Sequence, residues 1–242
     1  AQTALQREPG LAFAPLVDAT SLPEHPLDAV HAGAASEIPL LVGTNRDESK
    51  LFRVGMQAGE ISEEQLEKRV GALLRGRRAE NRAGEVIESY RRAREGRAST
   101  EPGELLDAID SDHTFRIPAI RLAEAHAPHP AGTYAYLFTW ESPARGGILG
   151  SCHALELPFI FGSFDAPTMD RFAGTGPEAE RLSRQLMDAW VAFARSGNPA
   201  HAELPEWPSY DAKTRATMIL DRDCERADAP LDAERAAWDH LL

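Results

Sequence analysis

Cysteine is almost absent from this 242-residue chain, with Cys152 and Cys224 the only two. Two thiols cannot build a disulfide framework, and they cannot by themselves hold a metal. A single bridge stays open, but two free thiols is the simpler reading. Lysine is confined to Lys50, Lys68 and Lys213 beside abundant arginine and alanine, a bias that points to a GC-rich coding sequence more than to a function. No run approaches the roughly 18 apolar residues of a membrane span. The opening Ala1-Gln2-Thr3-Ala4-Leu5-Gln6 has neither the basic start nor the apolar core of a secretory signal. A chain that begins mid-protein carries no such information, so the compartment, cytoplasmic or secreted, stays open. Net positive charge is lacking too. The formal charge of −12 argues against a nucleic acid or an anionic membrane as partner, because phosphates are held by concentrated cations. The basic runs at Arg75 to Arg78 and Arg91 to Arg97 lie beside glutamate-rich helical segments and read as solvated surface. Also missing is any Gly-x-Ser-x-Gly, the pattern that sets a nucleophilic serine on a tight strand-to-helix turn.

What is present is ordinary for a soluble globular protein, with 43% hydrophobic and 26% charged residues. The length suits one large domain or two small ones. Leu11 to Ala34 is rich in proline and alanine and reads as an irregular surface connection. Ile38 to Gly43 is nearly all apolar and too short for a helix, which fits a strand covered on both faces in a parallel sheet. Ser62-Glu63-Glu64-Gln65 is a capping box, with Leu66, Val70 and Leu73 following at helical spacing. Glu85 to Arg94 continues as a polar helix. Leu105, Leu106 and Ile109 make a short amphipathic turn before a helix near Pro118 to Ala127, its proline tolerated in the first turn. Thr133 to Trp140 is dense in aromatic and β-branched residues and is the strongest strand. A helix capped by Thr175-Gly176-Pro177-Glu178 carries Leu182, Leu186, Trp190 and Phe193 on one stripe and stops at Gly197-Asn198-Pro199. Ala216 to Asp221 reads as a last short strand. With no repeat and no linker, the chain reads as one architectural unit of the α/β class.

Two segments carry chemistry. In the first, the apolar run Ile38-Pro39-Leu40-Leu41-Val42-Gly43 leads into Thr44-Asn45-Arg46-Asp47-Glu48, a turn with acids just beyond it. In the second, Gly150-Ser151-Cys152-His153-Ala154-Leu155-Glu156 presents a histidine from a glycine-bearing loop and then becomes apolar. An acid followed by a histidine is the order of the last two triad members in an α/β-hydrolase, whose catalytic groups sit on loops at the carboxyl ends of strands. Alone, each residue is an ordinary loop side chain; the order and the strand-loop setting make the pair worth weighing. On chemistry, Asp47 competes with Glu48 for the acid.

The chain resembles the C-terminal half of a type-B carboxylesterase, the family of cholinesterases and bacterial para-nitrobenzyl esterases. Gly43-Thr44-Asn45-Arg46-Asp47-Glu48 resembles that family's acid loop, in which the second of the paired acids is catalytic. Gly150 to Gly162 resembles its histidine loop. Trp190-Val191-Ala192-Phe193-Ala194-Arg195-Ser196-Gly197-Asn198-Pro199, with Trp207-Pro208-Ser209-Tyr210, resembles its last helix and the segment after it. The resemblance covers nearly the whole chain and implies the C-terminal portion of an α/β-hydrolase fold, with Glu48 orienting His153 as general acid/base. Ser49 stands where the family often has glycine. Family members are about twice as long and carry the nucleophile elbow earlier, so the resemblance implies a fragment or cleaved subunit. Its first partner would then be the missing N-terminal half bearing the serine, and its second a small-molecule carboxylic ester.

By the same resemblance Glu156 supports the site through hydrogen bonding; an ordinary helix-start carboxylate is the plainer alternative. Leu51, Phe52 and Phe115 occupy positions that line a substrate pocket in relatives, against core packing for each. Asp112 reads as an N-cap or structural acid. His126 and His129 lie beside Pro128 and Pro130 in a loop with no third ligand, so no metal is expected, and no cofactor is implied. Cys152 reads as packing. The sequence thus reads as the acid- and base-bearing half of a serine carboxylesterase, with amide or carbamate hydrolysis open and a non-catalytic, cholinesterase-like adhesion module as the rival.

Overall fold

The computed structural model describes residues 15–18, 20–55, 60–75, 79–239 and 241. The opening hexapeptide, the first residues of the connection expected from Leu11, and the end of the basic run at Arg77 and Arg78 lie outside the described residues. Among the described residues four strands make one sheet in the order β1-β2-β3-β4: β1 Leu40–Asn45, β2 Thr133–Phe138, β3 Ala216–Leu220 and β4 Glu225–Asp228. β1 runs parallel to β2 in the register Leu40↔Thr133 to Asn45↔Phe138, and β2 runs parallel to β3. β4 returns antiparallel on β3.

The first strand is shifted by two residues from the sequence reading. Ile38 is 65% exposed and precedes the ladder, because Pro39 between it and Leu40 has no N–H to donate. β2 ends at Phe138, and Trp140 turns into the core, donating from Nε1 to the Ala173 carbonyl at 2.9 Å. β4 was not legible: Glu225-Arg226-Ala227-Asp228 has no apolar alternation and is a strand only because the turn after β3 folds it back. Gly43 is glycine for a packing reason. A Cβ there would lie 2.4 Å from the Tyr136 ring, which sits opposite Gly43 on β2 and packs edge-on against Trp190 at 5.3 Å.

Between β1 and β2 the chain makes helices α2 (Lys50–Gly55), α3 (Glu63–Leu74), α4 (Ala83–Arg94), α5 (Pro102–Ser111) and α6 (Ile117–His126). The capping box forms as expected, with Ser62 Oγ accepting from Gln65 N–H and Gln65 Oε1 from Ser62 N–H. The "polar" α4 buries Val86, Ile87, Tyr90 and Ala93, an i, i+1, i+4, i+7 stripe hidden among its charges. The expected amphipathic turn is the ten-residue α5, and it flows into α6 through a π turn, Asp112–Arg116. The connection read as irregular contains a short helix, α1 (Pro26–His31), started by Pro26 and capped by His25 Nδ1, which accepts from Leu27 N–H at 3.3 Å.

After β2 come α7 (Leu157–Phe161), α8 (Met169–Ala173) and α9 (Pro177–Ser196), and α10 (Asp232–Ala236) follows β4. Leu182 and Leu186 of α9 are fully buried with Phe138, Phe159, Met218 and Leu220, and Trp190 and Phe193 pack against them. A second core lies among α3, α4, α5 and the C-terminal segment, around Leu66, Val70, Leu74, Tyr90, Leu105, Ile109 and Trp238. Both cysteines are free, Cys152 buried and Cys224 half-buried. Among the described residues no helix is long and apolar enough to cross a membrane.

Candidate active site

β1 and β2 lie side by side and parallel, so the loops that leave their carboxyl ends emerge next to each other. The loop after β1 delivers Arg46, Asp47 and Glu48; the longer loop after β2 delivers Ser151, Cys152 and His153. Two reciprocal bonds fasten them. Asp47 N–H donates to the Ser151 carbonyl at 2.8 Å, and Ser151 N–H donates to Asp47 Oδ2 at 2.9 Å. Gly150 has a φ of +54°, and a Cβ there would stand 2.5 Å from Asp47 Oδ2, so the clasp demands glycine on both steric counts.

Glu48 is 6% exposed. Its Oε1 accepts from Asn45 N–H at 2.8 Å, and its Oε2 meets His153 Nδ1 at 2.7 Å. The imidazole side chain is 42% exposed while the carboxylate side chain is 7% exposed. The pair is therefore dry at the acid end and open at the base end. A carboxylate on Nδ1 selects the tautomer that leaves Nε2 as the basic nitrogen. Burial raises the Glu48 carboxyl above the ordinary glutamate range, with the Asn45 N–H and His153 pulling against that rise. Ala154, directly after the histidine, holds φ at +64°, a left-handed conformation that costs a non-glycine residue of order 1–3 kcal/mol.

Of the two candidate acids, only Glu48 reaches the imidazole. Asp47 is spent on the loop clasp and on Arg46 at 2.9 Å and Lys50 at 3.5 Å. Burial works against its charge, yet those cations and the Ser151 N–H hold its carboxyl below the ordinary range. Glu156 joins indirectly: its Oε2 accepts from Asn45 Nδ2 at 2.5 Å, and the same amide donates to the Cys152 carbonyl at 2.7 Å. Asn45 is thus the hub that links Glu48, Glu156 and the histidine loop. Sequence reasoning passed over Asn45, whose only signal was a buriable amide at the end of an apolar strand.

Phe52 and Phe115 are both at the histidine. The imidazole centroid lies 5.2 Å from the Phe52 ring and 5.3 Å from the Phe115 ring, and the two phenyl rings are parallel and 6.5 Å apart. The three rings form a triangle, with the imidazole tilted by 39° to Phe52 and 41° to Phe115. Leu51 differs: it is half-buried and packs against the sheet core. Asp112 caps no N-terminus. It is 5% exposed and takes a two-pronged ion pair from Arg116, Nε to Oδ1 and Nη2 to Oδ2, each at 2.6 Å. His126 is bonded to Thr133 Oγ1 and the Ala35 carbonyl, and His129 to the Val30 carbonyl; each ring nitrogen so engaged is tied into the fold. No group of three or more metal-ligating side chains occurs among the described residues. Burial pushes the Cys152 thiol up to about 12, the opposite of an activated nucleophile.

The family suggested by the two loops is found independently. A match to the carboxylesterase family spans residues 1–238. The chain is 36% identical over 225 residues to the para-nitrobenzyl esterase of Bacillus subtilis (strain 168), covering 93% of this chain and 42% of that protein. It is 30% identical over 213 residues to the phenmedipham hydrolase of Pseudarthrobacter oxydans, covering 87% of this chain and 40% of that protein. Among solved structures, a carboxylesterase of Geobacillus stearothermophilus superposes with a TM-score of 0.77 at 33% identity, over 98% of this chain and 48% of that one. The chain thus spans less than half the length of these relatives. The mostly parallel sheet flanked by helices is the α/β-hydrolase fold of those structures. On the family match and the architecture together, the chain belongs to the carboxylesterase family.

Proposed function

We propose that this chain is the C-terminal half of a single α/β-hydrolase domain and that it supplies the acid and base of a carboxylic-ester hydrolase. The observation that carries the reading is the 2.7 Å contact between Glu48 Oε2 and His153 Nδ1, made by loops on adjacent parallel strands. His153 Nε2 takes the proton of an attacking serine hydroxyl and later gives it to the departing alcohol. Glu48 fixes the tautomer and stabilises the imidazolium. A water then repeats the sequence on the acyl-enzyme. Glu156 supports the acid through Asn45, and Phe52 and Phe115 wall an apolar pocket for the ester.

The serine and its oxyanion donors come, in this reading, from a segment outside these residues. Two observations support that. β1 is an edge strand among the described residues. Phe52, Ile148, Leu157 and Phe161, on or after the two loops, expose apolar side chains.

The test is esterolysis of para-nitrophenyl esters by this chain, alone and co-expressed with a serine-bearing segment. Alone it should be inactive and loosely packed; together the two should hydrolyse ester and label with a covalent serine probe. In that assembly His153→Ala should cost ~10⁴-fold or more in turnover, and Glu48→Gln a smaller but large factor. Near-normal turnover by a folded His153→Ala protein, or an active chain on its own, would overturn the reading.

A further inference from the structure

The π turn at Asp112–Arg116 joins two regular helices with a single wide turn, closed by Ile117 N–H donating to the Asp112 carbonyl. Such turns are rare, because the wider ring packs its own backbone poorly, and they persist where something else holds them. Here the holding groups are buried. The Asp112–Arg116 pair spans the turn itself, with side chains 7% and 8% exposed. Tyr90 O–H donates to Asp112 Oδ2, and Trp238 Nε1 donates to the Tyr90 oxygen at 2.6 Å. Arg116 Nη1 also reaches the Pro230 carbonyl at 3.4 Å. The turn is therefore clamped from α4, from the C-terminal segment and from within.

The turn reaches the histidine directly and the acid through the residues beside each. Immediately before it, Ser111 Oγ accepts from the N–H of Ser49, the residue after Glu48, at 3.0 Å. Two further ties run from α2, which starts at the next residue, to α5: Lys50 to Glu104 at 2.8 Å and Arg53 to Asp107 at 2.7 Å. From within the turn, Phe115 puts its ring 5.3 Å from that of His153. A hydrogen bond at Nδ1 fixes one atom of an imidazole and leaves the ring free to rock. Rocking swings Nε2, and misplacing a reacting atom by about 1 Å is enough to cost about 10²-fold.

Resting on the acid–base reading above, we propose that the clamped π turn is a positioning device for the general base. Phe115 sets the plane of the His153 ring, Asp112, Arg116 and Tyr90 hold Phe115 in place, and Ser111 keeps Glu48 in register with both. Phe115 is a positioning residue, distinct from a wall that only selects the acyl group.

The experiment uses the active assembly with a short acyl ester, which leaves the pocket largely unfilled. Phe115→Ala should lower kcat about 10-fold with KM within about two-fold, and Phe115→Tyr, which keeps the ring, should restore it. Tyr90→Phe, which removes only the hydroxyl holding Asp112, should lower kcat a few-fold in the same pattern. By proton NMR, the downfield resonance of the His153–Glu48 hydrogen should be sharp in the parent protein and broadened by solvent exchange in Phe115→Ala. Unchanged kcat with only the acyl-chain preference moved would overturn the proposal and leave Phe115 as a pocket wall. A sharp resonance in Phe115→Ala would overturn it as well. His153→Ala is the control for the reading beneath: retained activity there refutes the triad, while the resonance still decides whether Phe115 restrains the ring.

Discussion

Around the sheet, the histidine loop is set by apolar packing and backbone hydrogen bonds. Phe138, Phe159, Leu182 and Leu186 form the floor, Ser151 Oγ donates to the Phe138 carbonyl at 2.8 Å, and Asp47 clasps the Ser151 backbone. Among the helices that lie between β1 and β2, an apolar core around Leu66, Leu105 and Ile109 is supplemented by ion pairs with buried carboxylates: Asp112 with Arg116 and Asp107 with Arg53. The candidate site lies on the seam, with His153 drawn from the first region and Phe115 from the second. Apolar packing tolerates exchange among residues of similar volume. Buried ion pairs punish the loss of either member, because the survivor keeps its desolvation cost without its partner. The two regions should therefore fail differently.

The sharpest way to break the comparison is Arg116→Met, which strands the Asp112 carboxylate. We expect a loss of about 3–5 kcal/mol, and a much smaller one when Asp112→Leu is added. Denaturant unfolding of the assembled protein measures both; equal losses in single and double variants would remove the ionic account of the helical region. On the sheet side, Gly150→Ala forces a side chain into a left-handed turn against Asp47. A loss of about 1–3 kcal/mol is expected from the backbone alone, and an unchanged melting temperature would show that the clasp gives way freely.

Smaller, but opposite in sign between Asp47 and Glu234, is the response to pH. The Asp47 carboxyl is held below its ordinary value. Its stabilisation is thus complete above the unfolded pKa of about 4 and disappears as pH falls through the lower folded value. Glu234, 3% exposed beside the Tyr90–Asp112 group, is raised chiefly by burial and next by Asp112. Its contribution is complete below the unfolded value and is lost as pH rises through the folded one. Asp47→Asn should flatten the acid limb of a stability profile and Glu234→Gln the rising-pH limb; a profile indifferent to either substitution removes that residue from the argument.

These differences also account for what could be read in the sequence. Strands β1 to β3, the capping box of α3 and the stripe of α9 are written in periodic apolar spacing, and the acid and histidine follow strands in a known order. The role of Asn45 was invisible because an amide at a strand end looks like any turn residue until Glu156 and the Cys152 carbonyl are placed around it. The buried stripe of α4 was masked by arginines and glutamates on its other face. Nothing local in Asp112-His113-Thr114-Phe115-Arg116 distinguishes a π turn from an α turn. The distinction comes from Tyr90 and Trp238, which are remote in sequence. β4 has no pattern at all and is imposed by the strand beside it.

Residues Leu40 and Thr133 are paired neighbours in the sheet, and the entire helical region lies in the loop between them. Closing a long flexible loop costs entropy that grows with the logarithm of its length, whereas contacts along and between successive helices are local and form early. We expect the following order of assembly. A helical region that collapses first converts a long loose loop into a short effective one, and only then does β1 find β2. Glu48 and His153, at the far ends of those two strands, meet only once that pairing is in place. Refolding followed by stopped flow would show it: Arg116→Met should slow the folding limb, while Gly150→Ala should mainly hasten unfolding. The contact between Glu48 and His153 is in this sense a late signal that the chain has finished folding.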